Sequence, residues 1–221
     1  MRRGGPARDL FSTLDRARVD EELAAGAMRL SGFAAAEEEA LLAALNAVIA
    51  QAAFRHMETP GGFRMSVAMS NCGTAGWVTD RSFYRYDRAD PLSGQPWPAM
   101  PDAFRKLAVT AAAAAGFAGF APDSCLINRY EPGARMSLHQ DRNERDYSAP
   151  IVSVSLGLPA DFLFGGMTRS DRYRRIPLFS GDVVVWGGPS RLVFHGVAPL
   201  AGGTHPLTGG LRYNLTFRKA L

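Results

Sequence analysis

Two histidines and an aspartate in the second half of the chain have the residue types and spacing of a metal site. One residue separates His139 from Asp141, which on an extended backbone places both side chains on one face, about 6.6 Å apart. His195 follows much later, at the end of an apolar run, 192–194. A His-x-Asp pair with a distant His is typical of the facial triad that holds non-haem Fe(II) and leaves coordination positions open. Zinc with a bound water uses the same donors, so these three residues leave both metals open.

The segment 212–218 adds a candidate anion clamp. It alternates polar and apolar residues, as a strand with one polar face does. A solvated edge strand would show the same alternation, but guanidinium groups also bind carboxylates through paired hydrogen bonds. A dicarboxylate clamp beside the triad favours Fe(II) with 2-oxoglutarate, because a zinc hydrolase would not need such a clamp. The candidate clamp residues are Arg212, Asn214, Thr216 and Arg218, joined by Asn128 and Tyr130 at the same two-residue spacing.

The elements that must position these residues fall into three regions of one predicted domain, 1–221. Residues 1–34 are mixed and rich in Gly, Ala and Arg, which favours a loosely ordered arm. Helical periodicity and helix-end residues predict helices over 35–53 and 101–115. Between the two helices, turn residues and aromatics predict short strands with exposed rings, at Trp77, Phe83, Tyr84, Tyr86 and Trp97.

The remaining region, 123–221, is predicted to be all strand. Short β-rich runs separated by turn signals favour a jelly roll capped by the earlier helices, with another β-sandwich topology as the alternative. The fold class is therefore mainly β with flanking helices (α+β). The predicted strands are 125–131, 135–139, 151–158, 161–164, 174–179, 182–186, 191–195 and 211–218.

Composition excludes some classes of protein and leaves function open. The net charge is +4 and the sequence pI is about 9.4, which favours anionic partners. Nearly all the basic residues are arginine, which suits nucleic acid but also follows from a GC-rich coding bias. Two cysteines are too few for a disulfide scaffold and favour the cytoplasm. No apolar run is long enough to cross a bilayer.

The motifs together resemble the AlkB family of iron/2-oxoglutarate nucleic-acid dealkylases, in its bacterial branch. Four separated motifs occur in the family's order, over roughly residues 60–221. They are Asn128-Arg129-Tyr130, His139-Gln140-Asp141, His195 and Arg212-Tyr213-Asn214-Leu215-Thr216-Phe217-Arg218.

The resemblance implies a double-stranded β-helix, or jelly roll, over 123–221, with helices and a nucleotide-recognition lid over 35–122. It implies that His139, Asp141 and His195 ligate Fe(II), with O2 and 2-oxoglutarate as cosubstrates. Arg212, Asn214 and Tyr130 would hold the distal carboxylate of 2-oxoglutarate. Arg218 and Asn128 would lie near the carboxylate that chelates the metal.

The implied activity is oxidative demethylation of N-alkylated bases of the 1-methyladenine and 3-methylcytosine type. The hydroxylated methyl group would leave as formaldehyde, and the base must be flipped or single-stranded. The implied partner is single-stranded DNA, with RNA and flipped duplex bases as further substrates, and the expected state is a monomer. The implied contacts are Trp77 as a stacking ring, Met69 and Tyr84 at the base and backbone, and Arg169 at a phosphate.

Asn143 departs from the family pattern, since the best-known bacterial relatives have an aspartate there. That acid accepts a hydrogen bond from the exocyclic amine of the base. Asn143 can accept through its amide oxygen but brings no charge, so we expect a shifted base preference or weaker discrimination for cationic lesions.

Two other functions are weighed against this one. An oxygenase of the same type could hydroxylate a protein side chain or a small molecule, but the aromatic segment 77–86 and the basic balance disfavour it. A non-catalytic jelly-roll binding module would predict a broken triad or clamp, and every position is filled.

Overall fold

The computed structural model describes residues 19–221, in which strands outnumber helices. The helices are α1 (Glu38–Ile49) and α2 (Asp102–Ala114). The strands are β1 (Glu21–Ala24), β2 (Ala27–Leu30), β3 (Ala68–Gly73), β4 (Gly76–Thr79), β5 (Tyr84–Asp87), β6 (Ser124–Tyr130), β7 (Met136–His139), β8 (Ile151–Gly157), β9 (Ala160–Phe164), β10 (Arg174–Leu178), β11 (Val183–Trp186), β12 (His195–Val197) and β13 (Arg212–Arg218).

The strands form a large sheet, a small sheet and a separate hairpin. The large sheet has the order β1-β2-β11-β8-β13-β6-β3, and the small sheet has the order β10-β9-β12-β7. The remaining pair, β4-β5, forms the hairpin. All the pairings are antiparallel. This is the predicted jelly-roll class of fold, mainly β with flanking helices.

Both helices pack on the outer face of the large sheet. α1 contributes Leu41, Leu45 and Val48, which recur at the i, i+4 and i+7 spacing of one helix face. Leu215 and Phe217 of β13 lie in the same core cluster. Because side chains alternate across a strand, the polar residues of β13 must point to the opposite face, into the space between the two sheets.

The predicted N-terminal arm is wrong for the described part of 1–34. β1 and β2 form a hairpin, and β2 pairs with β11, so this segment extends the large sheet. Leu23 of β1 and Leu30 of β2 are both buried, in different core clusters. Each strand has only four residues, too few to show a clear alternation in the sequence. The rest of the predicted arm, 1–18, lies outside the described residues.

Three further expectations need correction. Trp97 is buried rather than exposed, because its ring lies against Gly76, where a Cβ would come within 2.5 Å of the indole. The strand predicted over 191–195 begins instead at His195, after a 3-10 turn over Gly188–Ser190. β3 lies within the range predicted as helices and lid, yet it pairs with β6 in the large sheet.

Among the described residues, no helix is both long and apolar enough to cross a bilayer.

Candidate active site

The predicted metal-binding residues meet between the two sheets. His139 ends β7 and His195 begins β12, and the two residues are direct partners across this antiparallel pair. Gly196 allows the strands to approach closely, since a Cβ there would lie 2.6 Å from the carbonyl oxygen of Met136. One ligand atom from each of His139, Asp141 and His195 lies within 4.8 Å of the others. The spacing therefore predicted a real cluster.

Backbone carbonyls orient both imidazole rings. Nδ1 of His139 lies 2.8 Å from the carbonyl oxygen of Ser137, and Nδ1 of His195 lies 3.1 Å from that of Val193. A carbonyl can only accept, so each Nδ1 carries a proton, and Nε2 is the ring nitrogen that faces the cluster. The two Nε2 atoms lie 3.7 and 3.8 Å from oxygens of Asp141. The backbone carbonyls of Ser137 and Val193 thus favour the tautomer that metal-ligating histidines adopt.

The charge states of the cluster also suit a cation. Burial lowers the pKa of His195 to about 3, so its ring is neutral at ordinary pH. Burial alone would raise the pKa of Asp141, but the positive charge of Arg218 outweighs burial and holds that pKa below its usual value. The neutral imidazole of His195 and the ionised carboxylate of Asp141 are the forms that bind a metal.

The polar row of β13 lines the inner end of the same space. Arg212, Asn214, Thr216 and Arg218 are all buried, so the edge-strand alternative is wrong. Across the strand pair, Tyr130 lies opposite Arg212 and Asn128 lies opposite Asn214. Asn128 donates to Asn214 at 3.3 Å, and Asn214 donates to the hydroxyl of Ser153 at 2.7 Å. A single cavity is lined by this row and by both histidines of the cluster.

Several polar atoms around this inner cavity have no partner in residues 19–221. They are Nε of Arg212, Oδ1 of Asn128, Nη1 of Arg218 and Nε1 of Trp186. Arg212 is 1% exposed, and burial lowers its pKa to about 10, so it remains charged at neutral pH. Burial raises the pKa of Tyr130 to about 12, which keeps its phenol protonated. A buried cation with an unused donor is costly when empty and is satisfied by a bound carboxylate.

A second, wider cavity of about 750 Å³ leads from the surface to the metal-binding cluster. His139 and Asp141 line it, together with all five residues expected to contact substrate: Met69, Trp77, Tyr84, Asn143 and Arg169. The rings of Trp77 and Tyr84 are stacked at 5.7 Å, so in this structure Trp77 lies on Tyr84. The guanidinium of Arg169 lies over the ring of Phe194 and donates to the carbonyl of Leu138.

The arginines that follow Arg169 in the sequence, Arg172, Arg174 and Arg175, do not line this cavity. Arg174 pairs with Glu21 at the sheet edge, and Arg175 lies 3.6 Å from Asp161. They form a solvated edge rather than part of the site.

Comparison with known proteins places the chain in a family. The model of the 2OG-Fe(II) oxygenase superfamily matches residues 26–218. The alpha-ketoglutarate-dependent dioxygenase AlkB of Escherichia coli K12 is 57% identical over 212 residues, covering 96% of this chain and 97% of that protein. The chain belongs to the AlkB family. It is thus an Fe(II)- and 2-oxoglutarate-dependent dioxygenase, and the predicted resemblance is confirmed.

Two more distant AlkB-type proteins are also similar. The human nucleic acid dioxygenase ALKBH1 is 34% identical over 121 residues, which cover 55% of this chain and 31% of that protein. The solved structure of OsALKBH1 superposes with a TM-score of 0.79 at 28% identity, covering 91% of this chain and all of that one. The superposition on OsALKBH1 confirms the fold.

The residues present fit both groups that an AlkB-family enzyme uses. Two nitrogen donors and one carboxylate form the donor set of a non-haem iron site. The unpartnered donor of Arg212 and the buried row around it fit a dicarboxylate that reaches inward from the metal. Iron could be held by His139, Asp141 and His195, and 2-oxoglutarate by Arg212 and its neighbours.

A buried charge network behind the AlkB-type triad was missed by sequence reasoning. The side chains of Glu144 and Arg191 are 1% and 3% exposed and lie 3.1 Å apart. Tyr86 of β5 donates to Glu144 at 2.6 Å, and Arg218 lies 3.5 Å from the same carboxylate. The only signal in the sequence was that Arg191 stands next to the apolar run 192–194, a pattern that also occurs in many exposed loops. The network links the β4-β5 hairpin to Arg218 and, through it, to Asp141.

Proposed function

We propose that this enzyme demethylates N-alkylated nucleic-acid bases by oxidation. The lesions are of the 1-methyladenine and 3-methylcytosine type, in single-stranded DNA and also in RNA. One observation carries the proposal: a wide cavity rimmed by aromatic and arginine side chains opens directly onto His139 and Asp141. The name of the human relative, a nucleic acid dioxygenase, supports the same substrate class.

His139, Asp141 and His195 hold the iron in this proposal, each through one atom. Arg212 is the anchor for the distal carboxylate of 2-oxoglutarate, with Tyr130 and Asn214 beside it. Arg218, which contacts Asp141, and Asn128 face the other carboxylate. Bound Fe(II) and 2-oxoglutarate supply the activation of O2, with decarboxylation to succinate and CO2.

The chain's own contribution is to orient the groups and to limit access to them. Buried Arg212 and Tyr130 fix the depth at which a dicarboxylate is seated, because its charge must reach the unpartnered guanidinium donor. Backbone carbonyls keep both imidazoles in the tautomer that binds metal. Phe162 and Trp186 of the surrounding core cluster form an apolar wall of the inner cavity.

The wide cavity leads to His139 and Asp141, and a base that enters it must leave any base stack. Trp77 and Tyr84 at the cavity mouth offer aromatic faces for the base and its neighbours. Hydroxylation of the N-methyl group gives a hemiaminal, which releases formaldehyde and restores the base. Because one chain supplies every residue of the site, a monomer suffices.

The test is aerobic incubation with Fe(II), 2-oxoglutarate and a single-stranded oligonucleotide carrying one 3-methylcytosine. We expect formaldehyde, succinate and unmodified cytosine in equal amounts. The matched control is the same oligonucleotide without the methyl group, which should give no formaldehyde. The proposal is wrong if neither methylated DNA nor methylated RNA stimulates the consumption of 2-oxoglutarate.

A further inference from the structure

The inner and the wide cavity of the site meet at a small set of side chains. Among residues 19–221, those that line both cavities are Leu126, Met136, His139 and Arg218. His139 and Arg218 take part in the metal site, so Leu126 and Met136 are the two apolar side chains at this junction. An N-alkyl group that reaches the metal from the wide cavity enters the junction, because the cosubstrate takes the inner cavity. Leu126 and Met136 therefore bound the space that the alkyl group can occupy.

A β-bulge in β7 brings Met136 to the junction. His139 lies opposite His195 and Met136 lies opposite Val197, with a shift of register between the two pairs. β7 thus advances by three residues where β12 advances by two, which is the pattern of a bulge. In a regular strand, side chains three residues apart point to opposite faces of the sheet. Because of the extra residue, Met136 and His139 both line the inner cavity.

The two apolar walls of the junction differ in rigidity. Leu126 is 5% exposed and belongs to β6, which pairs with β13 on one side and with β3 on the other. Met136 is only partly buried, and its strand is an edge strand of the small sheet. A methionine side chain is unbranched and has three rotatable bonds, so it adapts its shape to its neighbours. One wall is thus fixed by the large sheet, and the other wall can move aside.

The length of an N-alkyl group decides how much of the junction it needs. An N-ethyl group has one carbon more than an N-methyl group, and its inner carbon must still reach the metal. The outer carbon then presses on the wall of the junction, where the side chain of Met136 can turn away. A side chain branched at Cβ is restricted at χ1 and turns away less readily. The residue at position 136 therefore determines how well the longer group fits.

We propose that Met136 is a specificity residue that sets the length of the N-alkyl group that the enzyme accepts. The inference rests on the proposed function and deepens it by naming a class of substrate, bases whose N-alkyl group is longer than methyl. The reaction balances in the same way for both lengths. One oxygen atom of O2 enters a C–H bond of the carbon attached to the base nitrogen, and the other enters succinate. The C–N bond then breaks, its electron pair stays on the nitrogen, the hydroxyl proton passes to water, and formaldehyde or acetaldehyde leaves.

The test compares two single-stranded oligonucleotides that differ only in their lesion, 3-ethylcytosine or 3-methylcytosine. The quantity measured is the ratio of kcat/KM for the ethyl lesion to kcat/KM for the methyl lesion, from the release of acetaldehyde and formaldehyde. Met136→Ile should lower this ratio by about tenfold, a factor within the range for one carbon in an apolar pocket. Met136→Leu, which is branched one carbon farther from the backbone, should lower the ratio by a smaller factor.

The matched control is Met65→Ile. Met65 lines the wide cavity but not the inner one, so the same substitution there should leave the ratio at its native value. An equal fall of the ratio in Met65→Ile and Met136→Ile would show that the effect does not come from the junction, and it would overturn the inference. A native ratio in Met136→Ile would overturn it as well.

Binding gives a second readout that does not depend on turnover and shows whether each variant has folded. Dissociation constants for the two oligonucleotides, measured without oxygen and with Mn(II) and 2-oxoglutarate, should place the variants in the same order as the ratio of kcat/KM. If the native enzyme releases formaldehyde from the methyl lesion but no acetaldehyde from the ethyl lesion, this inference fails and the proposed function stands. If it releases neither aldehyde, the proposed function fails and this inference fails with it.

Discussion

Arg218 donates two hydrogen bonds to one oxygen of Asp141. Its Nε and Nη2 atoms lie 3.0 and 2.8 Å from Oδ2, whereas Oδ1 is the oxygen nearest to Nε2 of His139, at 3.7 Å. A carboxylate held in this way cannot rotate without breaking both bonds. Arg218 therefore orients a metal ligand in addition to lying near the inner cavity.

We expect Arg218→Gln to weaken metal binding by about 10–100-fold, the loss usual when a group that orients a ligand is removed. The measurement is titration with Mn(II) in the absence of 2-oxoglutarate, which separates this effect from any contact with the cosubstrate. Arg218→Lys, which keeps the charge, should recover part of the affinity. Arg212→Gln is the control, because Arg212 makes no contact with Asp141. Equal metal affinity in Arg218→Gln and the native enzyme would contradict the orienting role.

Asp141→Ala and His139→Ala should each abolish formaldehyde release. Each change removes one of three ligand atoms and leaves an incomplete coordination sphere. The matched control is His205→Gln, since His205 lies outside the cluster and its ring only accepts a hydrogen bond from the backbone of Leu207. Native turnover in either triad variant would show that the assigned metal ligands are wrong.

Arg212→Gln should raise the KM for 2-oxoglutarate by at least about tenfold, as expected when a buried charged partner of a carboxylate is lost. The KM for the oligonucleotide should change little, since Arg212 does not line the wide cavity. Arg129→Gln is the control, because Arg129 is the neighbour of Tyr130 on β6 but points to the other face and pairs with Glu131. A raised KM in both variants would indicate a general defect in the sheet.

The buried guanidinium of Arg212 predicts that the affinity for 2-oxoglutarate depends on pH. Its pKa is lowered to about 10 by burial, and only the charged form attracts a carboxylate. Tyr130, opposite it, stays protonated until about pH 12. Affinity for 2-oxoglutarate, followed without metal by tryptophan fluorescence, should thus fall as the pH rises through about 10. Arg212→Gln should show a flat profile over the same range.

The sequence was sufficient to predict the site where strand geometry alone decides which residues meet. Side chains on β13 alternate with a period of two, so its polar row could be assigned to one face before the structure was known. Asp141, two residues beyond β7's last residue, still followed the strand spacing, but residues farther into the loops could not be placed in this way. Glu144 and Asn143 follow β7 in a loop, and their partners Arg191 and Trp77 come from distant parts of the chain. Such contacts depend on the packing of the whole domain.

The strand predicted over 191–195 shows that sequence reasoning can also misplace a strand. The apolar run before it predicted a strand that ends at this residue, yet the strand begins there. Arg191, inside the predicted strand, turns inward to donate to the backbone of Asp141 and to Glu144. The buried ion pair thus outweighs the local strand preference of 191–194.

Removing one partner of the buried pair of Glu144 and Arg191 should strongly destabilise the fold. Glu144→Ala leaves Arg191 buried without its counter-ion, a change that costs about 3–5 kcal/mol in the free energy of unfolding. The control is Glu131→Ala, which breaks an exposed pair with Arg129 and should cost less than about 1 kcal/mol. Urea denaturation of the metal-free proteins measures both. If Glu144→Ala costs no more than Glu131→Ala, then Arg191 finds other partners, and the network does not hold the β4-β5 hairpin against the site.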